Sequence, residues 1–208
     1  MRAVDRRPLV GLTLLWGAGL LLSGWYPFDR ATWWMEVAPV LIALPTLWWC
    51  APRWPPTPLA LGLIAAHGVV LMIGGAYSYA RVPIGFAVQD WLHLARNPYD
   101  RVGHFAQGFV PAIVVREGLV RGGGIERGRL LTALVLACCL AISAAYELIE
   151  FGAALALGQG ADAFLGTQGD PWDTQWDMLT CLIGVTAALV LLTRAHDAQL
   201  ARIAGPAV

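Results

Sequence analysis

Apolar runs about as long as a bilayer is thick, punctuated by arginine, take up almost the whole of this chain and leave it few possible folds. Six can be marked, at about Pro8–Tyr26, Trp33–Cys50, Leu59–Ala80, Val102–Val120, Leu130–Leu157 and Trp176–Thr193. Each is near the roughly 20 residues that a helix needs to cross a hydrocarbon core. Because that core has no water to satisfy backbone N–H and C=O groups, spans of this kind must be helical. The expected fold is all-α: a single integral-membrane domain over residues 1–208, a polytopic bundle of about six transmembrane helices. A chain that is 58% hydrophobic and 13% charged, with mean hydropathy +0.60, does not have the mixture of a soluble domain. No low-complexity tract and no internal repeat of the inverted-transporter kind interrupts the pattern.

Charge then orients the bundle. All fourteen basic residues are arginine. With both termini inside, Arg2, Arg6, Arg7, Arg53, Arg116, Arg121, Arg127, Arg129, Arg194 and Arg202 are cytoplasmic, and only Arg30, Arg81, Arg96 and Arg101 are outside, as the positive-inside rule requires. Trp25, Trp33, Trp34, Trp91, Trp172 and Trp176 fall at the expected outer interface and Trp48, Trp49 and Trp54 at the inner one, which leaves Trp16 in mid-span. The first run continues to Trp25 and Tyr26 without a small-residue cleavage site, so it reads as a helix rather than a signal peptide. Cys50, Cys138, Cys139 and Cys181 lie in apolar segments with no C-x-x-C spacing, and read as packing residues rather than disulfide or zinc ligands. Gly62-x-x-x-Ala66 and Gly184-x-x-x-Ala188 are patterns that let helices approach closely.

Between Arg129 and Arg194 the chain has six acidic residues, Glu147, Glu150, Asp162, Asp170, Asp173 and Asp177, and no basic one. Ionisable groups are costly inside a membrane, so something positive should meet them. The candidates are a metal ion, protons, Arg101 or His104 from a neighbouring helix, or a cationic substrate. Glu147 and Glu150 fall some 17 to 20 residues into their helix, which the rise of about 1.5 Å per residue places in the outer leaflet. Asp100 and His104 share a face at the outer end of the fourth span, and Gln107 and Pro111 continue that stripe. Asp170 and Asp173 also fit a local role, as N-cap and first-turn partner of the helix dipole. Asp177, two turns in, does not. Arg116 and Glu117 read as topology determinants, and His67 and His93 as packing or surface residues.

Three helices thus bring His104, Glu147 and Asp177 to one depth, where an oxygen-rich set with one imidazole suits a divalent ion such as Mg, Mn, Fe or Zn. Glu150 or Asp173 is the expected general base, and Asp100, Arg101 and Gln107 the expected substrate contacts. The leading reading is a metal-dependent enzyme acting on a membrane lipid or lipid-linked substrate. The alternatives are a proton- or cation-coupled transporter and a structural or envelope-stress accessory protein. The absence of Ser-His-Asp, phosphate-loop and H-E-x-x-H motifs fixes no reaction class, and no nucleic acid is expected as partner.

Two stretches carry a resemblance: Arg96-Asn97-Pro98-Tyr99-Asp100-Arg101-Val102-Gly103-His104-Phe105-Ala106-Gln107-Gly108-Phe109, and the run from Tyr146-Glu147-Leu148-Ile149-Glu150 through Ala161–Gly169 to Asp170-Pro171-Trp172-Asp173-Thr174-Gln175-Trp176-Asp177. They resemble the YjdF-like family of bacterial inner-membrane proteins. Asp100-Arg101 and His104-Phe105, followed by a glutamate helix and a final aspartate-bearing helix, are more loosely similar to VanZ-like proteins. The resemblance implies a multi-pass helical fold in the bacterial inner (plasma) membrane and supplies no reaction.

Overall fold

The computed structural model describes residues 5–157 and 167–204. Asp162 and the segment around it lie outside the described residues. Among those described, every regular element is a helix: α1 (Arg7–Trp25), α2 (Arg30–Cys50), α3 (Pro58–Tyr77), α4 (Pro83–Leu92), α5 (Tyr99–Arg121), α6 (Arg129–Leu157) and α7 (Asp173–Ala204). Local chemistry sets several of the ends. Pro58 occupies the first turn of α3 and Pro83 that of α4, where a missing N–H costs nothing. Asp29 caps α2 by accepting from Thr32 N at 2.7 Å and Thr32 Oγ1 at 2.9 Å. The Thr32 N–H holds the Asp29 carboxyl below its ordinary pKa.

Among the described residues four helices, α1, α3, α6 and α7, are both long and apolar enough to cross a membrane. The 21 residues of α2 and the 23 of α5 have the length, but Trp, Pro and polar residues dilute their apolarity. Thus apolarity by itself carries four of the six expected spans. Two features go beyond the six expected runs. A short helix, α4, lies between α3 and α5, and the last helix begins at Asp173, so that Asp170 is not its N-cap, and runs past Thr193 to Ala204.

Parallel helices α5 and α7 pack together more extensively than any other pair. Glycine makes the approach possible: a Cβ at Gly108 would strike the Cys181 carbonyl oxygen, and one at Gly184 the Phe105 carbonyl oxygen. Around this seam Ala112, Ile113, Val135, Cys139, Cys181, Val185 and Ala188 form a closed apolar core. A second core joins α1, α2 and α3 through Leu12, Trp16, Val37, Val40 and Met72. Trp16 is 1% exposed and donates from Nε1 to the Ala65 carbonyl at 3.2 Å. Trp25, Trp34, Trp49, Trp54, Trp91, Trp172 and Trp176 stay exposed, whereas Trp33 turns inward to bond Ser23.

The end of the bundle away from His104 is tied by a buried polar network. Arg116 reaches His196 Nδ1 at 2.9 Å and Asp197 at 2.8 Å, while His196 Nε2 lies 3.1 Å from Glu117. Glu117 also accepts from Thr57 Oγ1 at 2.7 Å and from Arg121 at 2.5 Å. Arg116 and Glu117 therefore do more than mark topology: they join α5 to α7 and to the start of α3. Their cationic members also complement the C-terminal dipole end of α5.

Gly62 faces open space, while Gly184 is pressed on backbone. Gly184→Ala should therefore lower stability by about 1–3 kcal/mol, whereas Gly62→Ala should leave it unchanged or raise it by up to about 1 kcal/mol through helix propensity. Thermal unfolding of both variants in one detergent would check the difference, and equal melting temperatures would contradict the packing.

Candidate metal centre and adjoining cavity

At the other end of the same seam, α5 and α7 present their N-termini side by side. Both helix dipoles favour anions there, and Asp100 and Asp173 occupy the two first turns. Asn97, fully buried, builds the entry to α5: its Oδ1 accepts from Tyr99 N at 3.0 Å and its Nδ2 donates to the Val82 carbonyl at 3.0 Å. Gln168 then pairs with the Asn97 backbone through two 3.0 Å hydrogen bonds. Gln168 and Gly169 have φ of 48° and 85°, a left-handed turn that glycine accepts freely. These contacts bring the segment before α7 across the start of α5.

Two guanidiniums meet the aspartates. Arg96 Nη1 lies 2.5 Å from Asp173 Oδ1, and Arg96 Nη2 is 3.3 Å from Asp100 Oδ2. Arg101 pairs with Asp177 Oδ1, with Asp173 Oδ1 at 2.7 Å and with Asp170 Oδ2 at 3.5 Å. Arg101 is thus committed to carboxylates, and Asp173 Oδ1 to both arginines. Four aspartates share two guanidiniums, which leaves the group a formal excess of two negative charges.

His104 stands inside this excess. Its Nδ1 is 3.1 Å from Gln107 Oε1, which fixes the ring and turns Nε2 toward Asp100 Oδ1 at 3.7 Å and Asp177 Oδ1 at 3.6 Å. Those separations are too long for hydrogen bonds. They are near the spacing of about 3.4 Å between neighbouring ligands of a tetrahedral ion held at 2.0–2.2 Å. The ligand atoms of Asp100, His104 and Asp177 all lie within 4.8 Å of one another. Glu147 Oε1 is 3.8 Å from His104 Nδ1, buried, and without a hydrogen-bond partner. Of the ligands expected from sequence, His104 and Asp177 come together with Asp100, and Glu147 sits on the opposite edge of the imidazole.

Asp100, His104, Gln107 and Glu150 also line a cavity of about 250 Å³ between α2, α3, α5 and α6. Sequence reasoning gave no site role to its other polar residues, Glu36, His67, Tyr79 and Tyr146. Tyr146 Oη donates to Glu36 Oε2 at 3.0 Å. Tyr79 follows Ser78 through two left-handed residues, and its ring folds back against Gly74 and Gly103, where any Cβ would collide with it. Glu36 is the one acid within α2, and the polar residues at helical spacing before it, Asp29 and Thr32, form the helix cap. Beside the cavity runs an apolar groove of about 540 Å³. Pro39, His67, Leu71, Pro111 and Ile142 belong to the walls of both.

Removing one cation should strand several carboxylates. Arg101→Ala is expected to cost about 3 kcal/mol, and Arg101→Lys should recover only part, because an ammonium lacks the planar fork that serves several aspartates. Denaturation midpoints would show this; an Arg101→Ala protein as stable as the parent would contradict the ion-pair assignment.

Comparisons with known proteins agree on what kind of chain this is. Residues 8–198 match the family model described as "Predicted membrane protein (DUF2238)". The chain is 55% identical over 184 residues to the "Inner membrane protein YjdF" of Escherichia coli (strain K12), with 88% of each chain covered. No solved structure matches it.

Proposed function

The chain belongs to the DUF2238 family of membrane proteins, a multi-pass helical protein of the bacterial inner membrane, and we propose that it is a metal-dependent enzyme acting on a lipid or lipid-linked substrate. The observation that carries this reading is the shared wall between the polar cavity and the apolar groove, with Asp100 and His104 on the cavity side. A lipid's polar end and its chain need two such compartments in contact. In this reading α2 and α5 cross the membrane with the four more apolar helices, both termini are cytoplasmic, and the site opens to the outer leaflet.

Asp100, His104 and Asp177 would hold a divalent ion, which when bound supplies a Lewis acid for a phosphoryl or carbonyl oxygen, or acidifies a water. Gln107 orients the imidazole through Nδ1. Glu150, which lines the cavity, is better placed as general base than Asp173, whose Oδ1 is held by two guanidiniums. Arg96 and Arg101 position the aspartates rather than the substrate. A transport pathway has less support: between the acidic cluster and the Arg116–His196–Glu117 network stand Ile113, Val135, Cys139 and Val185, each 0% exposed. One observation favours a structural reading instead, because Arg101 already engages the Asp177 oxygen that faces His104.

Elemental analysis of the purified protein separates the two. A stoichiometric ion in the parent, lost in folded Asp100→Asn and Asp177→Asn variants, is the expected result and would justify assays of lipid hydrolysis or transfer. A folded parent that takes up none of Mg, Mn, Fe or Zn would leave the aspartates to the arginines alone. For the topology, alkaline phosphatase inserted after Arg96 should be active, and inserted after Arg53 or Arg202 inactive; the reverse pattern would invert the bundle.

A further inference from the structure

Among the described residues three carboxylates, Glu36, Asp100 and Glu150, line the cavity, and no arginine does. Arg96 reaches the far oxygen of Asp100, Oδ2, at 3.3 Å, and its other contacts and those of Arg101 go mainly to the aspartates toward α7, so among the described residues Glu36 and Glu150 are the cavity carboxylates that no arginine pairs. Tyr79 and Tyr146 supply aromatic surface to the same wall, and Tyr146 orients Glu36. At about 250 Å³ the space exceeds a bare ion or a single water, whose share of the liquid is about 30 Å³. His67 stands where cavity and groove meet, and its Nε2 is buried without a hydrogen-bond partner. The groove beyond it is walled by Trp16, Val40, Ile64, Val110 and other apolar side chains.

We propose that the occupant is a long-chain amphiphile with a primary ammonium head, the head in the cavity against Glu36 and Glu150 and the chain in the groove. Charge complementarity selects the head. An ammonium meets carboxylates and tyrosine faces, both of which attract a desolvated cation, and its N–H can donate to the unpartnered His67 nitrogen. A phosphate in the same place would meet the carboxyl groups of Glu36 and Glu150 with no guanidinium beside them. The apolar groove selects the chain, since a short hydrophilic amine would leave it unfilled. This assignment rests on reading the cavity as the substrate site, and it does not require the metal ion.

The test uses delipidated full-length protein in a non-ionic detergent, treated with chelator, and native mass spectrometry to count bound dodecylamine, dodecyl phosphate and dodecyl glucoside. One saturable dodecylamine adduct is expected, bound about tenfold more tightly than the other two, which corresponds to about 1.4 kcal/mol. Glu36→Gln and Glu150→Gln should each remove most of that preference. Should Glu36→Gln fail to fold, Glu150→Gln, at a less buried position, decides. Equal binding of the three heads, a preference for the phosphate, or an undiminished amine preference in the folded glutamine variants would overturn the proposal. Metal content measured on unchelated protein keeps the two readings apart: an ion without amine preference sinks this proposal alone, and amine preference without an ion sinks the metal centre alone.

Discussion

The pairing of two arginines with the aspartates of α7 is the interaction on which the rest of the acidic end depends. Parallel α5 and α7 place two helix N-termini together, and the field there draws carboxylates to both first turns. Carboxylates so close would repel one another without cations between them. Arg96 and Arg101 reach across the seam, each serving more than one aspartate, and so hold the α7 N-terminus over His104. Because four aspartates share two guanidiniums, the neutralisation is incomplete, and His104 points its Nε2 into what remains.

At the opposite end the same two helices are joined by different chemistry. There Arg116, His196 and Glu117 form a buried chain of hydrogen bonds that also reaches Thr57 at the start of α3. The glycine contacts between the two ends keep the backbones close, so neither polar cluster can drift along the seam. The apolar residues between them, tightly closed at Ile113 and Val185, separate the clusters electrically and sterically.

The cavity arises where α5 turns its other face away from α7. Gly103 and Gly74 make room for the Tyr79 ring, and α2 contributes Glu36 from a helix otherwise packed by Val37 and Val40. Pro39 and Pro111 each stand on the boundary between cavity and groove. A proline leaves its helix without one backbone hydrogen bond, and both fall where the two compartments join. The polar and apolar compartments thus meet at walls that α2, α3, α5 and α6 all share.

Much of this was legible in the amino-acid sequence, and the physical reason is the bilayer. A hydrocarbon layer of fixed thickness turns span length and polarity into a one-dimensional code, so helix boundaries came within a few residues for most elements, and His104, Glu147, Glu150 and Asp177 could be placed at one end of the bundle from the helical rise alone. The excess of acid over base after Arg129 likewise required cationic partners. Which cations answered was decided only in three dimensions: Arg96 joined Arg101, and Asp100 rather than Glu147 joined His104 and Asp177. The short helix α4 was hidden because its ten residues are too few to register as a span, and Glu36 because it is the one acid within α2 and its companions at helical spacing, Asp29 and Thr32, serve the helix cap. Contacts between distant segments, such as Asn97 with Gln168 or Tyr146 with Glu36, depend on helix rotation and crossing. Periodicity along one helix determines the face on which a residue lies, while the packing of side chains against neighbouring helices determines what that face meets.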